Sequence, residues 1–266
     1  MSRDIAFGQF YPSGSVLHRL DPRVKLTSLI AIIVMIFCTS NFFSLGVVVS
    51  LVVASVLLSK VPVRLYLKSM KAIIIIILLT SVLNLFYGSG NVIAEWWIFT
   101  ITDEGLENAI TVAVRIISLV AVSSALTFTT SPTDLTDGLE RLMKPLGIFR
   151  IKTHEIAMMM TIALRFVPTL LEETDKITSA QKARGADMES GNILKRIKAL
   201  IPILIPLFVS AFRRAYDLAM AMECRCYQGG KGRTRMKQLR MKCRDYISFL
   251  VLAVILAGVI LCNIFL

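Results

Sequence analysis

From Leu26 to Ser59 the chain runs for 34 residues without a charged side chain. One straight helix of that length would reach about 51 Å, well beyond the ~30 Å hydrocarbon core of a bilayer. Two short spans with a turn near Ser40-Asn41 fit better. Three further apolar zones follow: Ala72 to Ala94, with IIIIILL at its heart, Leu106 to Phe128, and Tyr246 to Leu266. With 55% hydrophobic residues and a positive mean hydropathy, these zones predict an all-α integral membrane protein of about five transmembrane helices.

The charges orient the spans. Arg3, Arg19, Arg23 and Lys25 precede the first, and Lys60, Arg64, Lys68 and Lys71 fill the 60–71 loop. The 88–107 loop has no Lys or Arg and holds Glu95, Asp103, Glu104 and Glu107. Residues 131–245 carry 21 of the 30 basic residues and 12 of the 18 acidic ones. The positive-inside rule then predicts a cytoplasmic N-terminus, 60–71 loop and 131–245 region, with the C-terminus outside. Trp96-Trp97 is expected at the outer interface. The net charge of +12 lies where topology and anionic lipid want it, so it requires no nucleic-acid partner. The first 25 residues are polar and lack an apolar signal-peptide core, so the first span is expected to act as an uncleaved signal anchor.

Three segments result: an N-terminal membrane part, 1–130, a cytoplasmic platform, 131–245, and a last transmembrane helix, 246–266. The platform reads as three helices. Ser131 can cap one of about 132–144, with Pro132 in its first turn and Asp134 against its dipole. A second runs from about Thr153 to Arg184, its apolar stripe including Ile156, Met160, Val167 and Ile177, with Pro168 expected to bend it. A third runs from about Ile193 to Tyr227. Its apolar stretch ALIPILIPLFVSAF is only 14 residues long, short for a span, and predicts an amphipathic helix at the membrane surface. Gly185 follows the first long helix and Gly229-Gly230 the second, as left-handed stops do. Each long helix thus ends by presenting an arginine.

Several chemistries are missing. The chain has no GxxxxGK[ST], HExxH or GxSxG motif, and no paired carboxylates inside a span. Cys38, Cys224, Cys226, Cys243 and Cys262 form no disulfide framework, and Cys224, Cys226 and Cys243 lack the four-ligand pattern of a structural zinc site. Arg115 is the one ionisable residue well inside an expected span, and reads as a satisfied structural group near Glu107 and Ser118. A chain with neither an ATP site nor a gradient-coupling carboxylate must borrow energy from a partner, and the helical platform is where it would do so.

Over nearly its full length the sequence resembles the transmembrane T components of energy-coupling factor (ECF) transporters. The N-terminal GQFYPSGSVLHRLDPRVKL is similar to a family motif through Ser15, His18, Leu20, Asp21, Pro22, Arg23 and Lys25. TSPTDLTDGLERLMKPL, LRFVPTLLEETDKITSAQKARGAD and LIPLFVSAFRRAYDLAMAMECRCYQGGKGRTR resemble its three coupling helices, two of them long and crossing. The resemblance implies that Ala183, Arg184 and Gly185 form one ATPase-docking motif. Glu223, Cys224, Arg225 and Cys226 form the second, where Cys-Arg-Cys replaces Ala-Arg-Gly. It implies two cytoplasmic ABC-type ATPase subunits carrying ATP and Mg²⁺, no cofactor or metal on this chain, and an exchangeable substrate-binding membrane subunit. That subunit would contact Ala157, Met159, Ala163, Ala211, Ala215 and Ala219. The implied setting is the plasma membrane of a prokaryote. A stand-alone secondary transporter or channel is the alternative; it predicts broken helices or an internal repeat, and the spans are plain.

Overall fold

The computed structural model describes residues 10–39, 41–86, 92–96, 99–149, 152–186, 193–230, 239 and 241–265. Among them the protein is all-α apart from one short β-hairpin. By internal contact it divides into two compact units, 1–142 with 237–266, and 143–236.

The first unit holds α1 (Pro22–Cys38), α2 (Phe42–Ser59), α3 (Val63–Lys71), α4 (Ile74–Phe86), α5 (Asp103–Thr129), α6 (Pro132–Met143) and α9 (Cys243–Phe265). The charge-free run divides as expected, although Ser40 lies outside the described residues. Asn41 opens α2, its N–H donating to the Ser44 hydroxyl, which donates back to the Asn41 carbonyl. Four helices are long and apolar enough to cross a bilayer: α2, α5, α9 and α7 (Thr153–Ala183) of the second unit. The pair α3 and α4, bent by 62°, makes a fifth candidate. The 17 residues of α1 would reach about 26 Å, close to the thickness of the hydrocarbon core. The protein is a multi-pass membrane protein.

Two expectations need correction. The 60–71 segment, read as a loop, contains α3, an amphipathic helix whose basic residues Lys68 and Lys71 stand in its last turn and favour its C-terminus. The zone read as one span over 72–94 yields a 13-residue α4, followed by β1 (Val92–Trp96). β1 pairs antiparallel with β2 (Phe99–Thr102). The β-branched and aromatic residues of VIAEW suit a strand better than the end of a helix. Trp97 lies outside the described residues.

α5 is the central helix of this unit. Its Ala121 and Val122 join Ile32, Met35 and Ile36 of α1, Val48 and Val52 of α2, and Val259 of α9 in one buried cluster. Its Ala125 and Phe128 pack with Val61 and with Tyr66 of α3; the two rings meet edge to face at 5.2 Å. Arg115 is a structural group, but its partners are not the expected ones. Its guanidinium donates to the Thr39 carbonyl at 3.1 Å and sits over the Phe37 ring. Asn263 of α9 donates to the Cys38 carbonyl at 2.6 Å. The carbonyls of Cys38 and of the capping residue Thr39 are therefore satisfied by side chains of α9 and α5.

The second unit is built on α7 and α8 (Ile193–Cys224), continuous through Pro168, Pro202 and Pro206. A 3-10 segment, Lys144–Phe149, precedes them.

Candidate functional site

The ends of α7 and α8 have one construction. Arg184 follows the last residue of α7, and its N–H still reaches back to the Ala180 and Gln181 carbonyls. Gly185, at φ +85°, donates to the Lys182 carbonyl, and Ala186 to the Gln181 carbonyl. That pair of bonds is a Schellman stop. Arg225 follows the last residue of α8 in the same way. Cys226, at φ +54°, donates to the Glu223 carbonyl at 2.8 Å, and Tyr227 to the Met222 carbonyl at 3.0 Å. The left-handed residue is therefore Cys226, and the sequence expectation that α8 stops at Gly229-Gly230 is corrected: the helix ends at Cys224. Ala183, Arg184, Gly185, Glu223, Cys224, Arg225 and Cys226 are all exposed.

The two long helices pair antiparallel. Near one end the Gln181 side chain donates to the Pro202 carbonyl at 3.3 Å. Midway, Glu173 of α7 accepts from the Ser210 hydroxyl through one oxygen and from Arg214, at 2.8 Å, through the other. At the far end Gly230 lies against His154; a Cβ there would run into the imidazole ring, so the close approach needs glycine. These pairs keep one register along the whole length. Arg184 and Arg225 consequently sit at opposite ends of the pair, on the order of 40 Å apart, the length of ~26 residues at 1.5 Å each.

The small-residue stripe divides. Met159, Ala163, Ala215 and Ala219 are exposed and Ala211 is half-buried, whereas Ala157 is buried at 2% exposure and packs internally. Ala211, Ala215 and Ala219 recur every four residues on α8 and so share a face. That face continues into a long exposed apolar side through Ile197, Ile201, Phe208 and Phe212.

Sequence reasoning did not find what the N-terminal motif does. His18 Nε2 meets the Tyr11 carbonyl at 2.7 Å, so it carries the proton, and Nδ1 accepts from Ser15 at 2.7 Å. Asp21 caps α1 through the Arg23 N–H, while its own N–H donates to Asp245, a 2% exposed residue of α9. Lys25 donates to the Thr129 carbonyl and the Thr130 hydroxyl at the end of α5. The motif joins the ends of α1, α5 and α9. Among the described residues no group of His, Cys, Asp and Glu is placed to hold a metal ion, and all five cysteines are free.

Residues 13–236 match a family model described as CbiQ, cobalt transport protein. The chain is 49% identical over 252 residues to the energy-coupling factor transporter transmembrane protein EcfT of Acidaminococcus fermentans, covering 95% of this chain and 94% of that one. The chain belongs to the CbiQ family, and within it to the T components of ECF transporters. Other T components are equally similar. The EcfT of Clostridium kluyveri is 48% identical over 266 residues, 99% of this chain and 98% of that one. The EcfT of Thermosediminibacter oceani is 49% identical over 259 residues, 97% and 98%. The exposed arginines of α7 and α8 are thus features of a T component, a transmembrane part of a transporter.

Proposed function

We propose that this T component is the scaffold of an ECF-type ABC importer. It passes the ATP-driven motion of two cytoplasmic ATPase subunits to a substrate-binding membrane subunit, for uptake of vitamins or other micronutrients. One observation carries the reading: Arg184 and Arg225 stand at the same position of two helix stops that share one hydrogen-bond pattern, at opposite ends of one antiparallel pair. Two like motors need two like handles, spaced by a stiff element. Each arginine would enter an acidic or carbonyl-lined groove on one ATPase subunit, where the guanidinium can make several directed hydrogen bonds.

ATP and Mg²⁺ belong to the partners in this reading, and this chain binds no cofactor. Closure of the ATPase pair moves both helix ends, and the Glu173–Ser210–Arg214 cluster keeps α7 and α8 moving together. The substrate-binding subunit, one that others can replace, packs on the face of Met159, Ala163, Ala211, Ala215 and Ala219. Small residues and methionine accommodate different partners there. The N-terminus, Arg64 and Lys68 face the cytoplasm of a prokaryote, and Glu95 to Glu107 face outward.

The deciding experiment is copurification. Arg184→Ala with Arg225→Ala should release both ATPases, since losing one side of a buried charged contact costs roughly 2–5 kcal/mol. Retention of both ATPases with normal ATP-driven uptake would remove the proposal. Uptake by the reconstituted chain alone would favour a stand-alone transporter or channel. Ala163→Glu should loosen the substrate-binding subunit while the ATPases stay bound. Orientation is read separately by impermeant thiol labelling of Arg64→Cys in a background without native cysteines; labelling from outside intact cells would reverse it.

A further inference from the structure

Two cavities of the membrane unit share a wall. The first, of about 450 Å³, is an apolar slot between α1, α2, α5 and α9, with Leu29, Leu51, Ala54, Leu126 and Val251 in its lining. The second, of about 420 Å³, lies where α1 and α6 begin and α5 ends and is polar, with Arg19 and Lys242 beside Asp21 and Asp134. Leu20, Lys25 and Thr129 line both. Lys25, only 8% exposed, is part of that shared wall, its amine donating to the Thr129 carbonyl and the Thr130 hydroxyl.

The mouth is cationic in effect. The Asp21 carboxylate is paired with the Arg23 guanidinium and the Asp134 charge is offset by Lys25, which leaves the positive charges of Arg19 and Lys242. Arg19 and Lys242 are exposed. A slot lined by apolar residues of spanning helices, opening at one end on Arg19 and Lys242, has two-part chemistry. An acyl chain fits the slot, and a phosphate fits the mouth, as basic pockets between transmembrane helices receive anionic headgroups.

We propose that this is a binding site for one anionic phospholipid. Its acyl chain lies between α1, α2, α5 and α9, and its headgroup phosphate lies beside Arg19 and Lys242. The orientation proposed above names the leaflet as the cytoplasmic one, and the site itself does not depend on it. The lipid would brace the helix ends that the N-terminal motif ties together.

The test uses the purified full chain in detergent, with phosphatidylglycerol or phosphatidylcholine added. Thermal unfolding and native mass spectrometry are the readouts. Phosphatidylglycerol should raise the melting temperature above the phosphatidylcholine value and leave one lipid bound. Arg19→Gln with Lys242→Gln should weaken that preference about thirtyfold, at roughly a factor of five for each cation, while leaving the melting temperature in phosphatidylcholine unchanged. Ala54→Phe, which fills the slot, should abolish retention of the lipid. Arg64→Gln with Lys68→Gln, which removes as much charge elsewhere, should leave the preference intact. Equal stabilisation by the two lipids would overturn the proposal. So would a preference that survives loss of Arg19 and Lys242, or one that the Arg64 and Lys68 control removes to the same extent. A slot that takes a helix of the partner subunit instead would give no headgroup preference. Failure here would leave copurification of the ATPases untouched.

Discussion

Gly185 and Cys226 occupy the same left-handed position, each one residue beyond an exposed arginine, at φ +85° and +54°. The first is the residue this geometry favours, and the second is not. A side chain in the left-handed region costs about 1–2 kcal/mol, and glycine gives back part of that by loosening the unfolded chain, about 0.4–1 kcal/mol. Gly185→Ala should therefore destabilise the end of α7, and Cys226→Gly should stabilise the end of α8 by a net amount of up to ~1.6 kcal/mol. Thermal unfolding of the two variants should shift in opposite directions. A Cys226→Gly variant as damaged as Gly185→Ala would show that the two stops are not alike.

Asp245 is the most consequential buried acid of the membrane unit. One of its oxygens accepts the Asp21 N–H at 2.9 Å and the other the Lys242 N–H at 2.7 Å. Alanine would strand both donors, at about 1–3 kcal/mol each when buried. Asp245→Ala should lower the melting temperature and the yield of folded protein sharply. Asp245→Asn, which keeps one acceptor oxygen, should do so by roughly half as much. Equal stability of Asp245→Ala and wild type would mean that water replaces the carboxylate and that the joint carries no load.

The Glu173–Arg214 pair is partly open to solvent, with side chains 22% and 39% exposed. Its worth must be discounted to that of a surface ion pair, supplemented by the hydrogen bond from Ser210. Glu173→Gln should thus lower the melting temperature only slightly, and by less in high salt. The combination Glu173→Arg with Arg214→Glu should recover part of what each single reversal loses. The functional readout is coupling: with the ATPases bound, Glu173→Ala should keep ATP hydrolysis and lower transport per ATP. Full transport with both side chains removed would show that α7 and α8 move together without this contact.

Much of the fold was legible because its signals are local. A charge-free run, a serine before a proline, and a glycine after a long amphipathic stretch each act within a few residues. Ser131 does cap α6, accepting the Asp134 N–H at 3.1 Å. The rest depends on contacts distant in sequence. Nothing near Asp21 points to Asp245, which lies 224 residues away, and nothing near Arg115 points to the Thr39 carbonyl. The antiparallel register of α7 and α8 is fixed by Glu173 meeting Ser210 and Arg214, three polar residues that read as surface when each helix is considered alone. Cys226 was hidden for a different reason. Two glycines follow within four residues and supply the expected stop, yet the bonds from Cys226 and Tyr227 close the helix before the chain reaches them. The hairpin was hidden for a third reason: Val92 to Ala94 close the apolar zone read as a span, and the rest of β1 and all of β2 fall in the 88–107 segment read as a loop.

Lysine in place of Arg184 and Arg225 separates docking by shape from docking by charge. If the arginines served only the helix dipole, each would contribute under about 1 kcal/mol, and lysine would serve as well. A groove that reads a planar guanidinium through several hydrogen bonds should accept lysine poorly, because an ammonium is a point charge without the fork. Arg184→Lys should therefore weaken ATPase binding nearly as much as Arg184→Ala, and the same should hold at Arg225. The two ends lie on the order of 40 Å apart, at ~26 residues of helix, too far to share a contact, so their binding losses should add. Transport should fall more than additively, since one freed motor cannot move both ends of a single stiff pair. Copurification across the four single variants and the double lysine variant gives the first quantity, and ATP-driven uptake in vesicles gives the second. Full retention of both ATPases by the double lysine variant would reduce the two arginines to simple positive charges, and the shared geometry of Arg184 and Arg225 would then explain helix termination only.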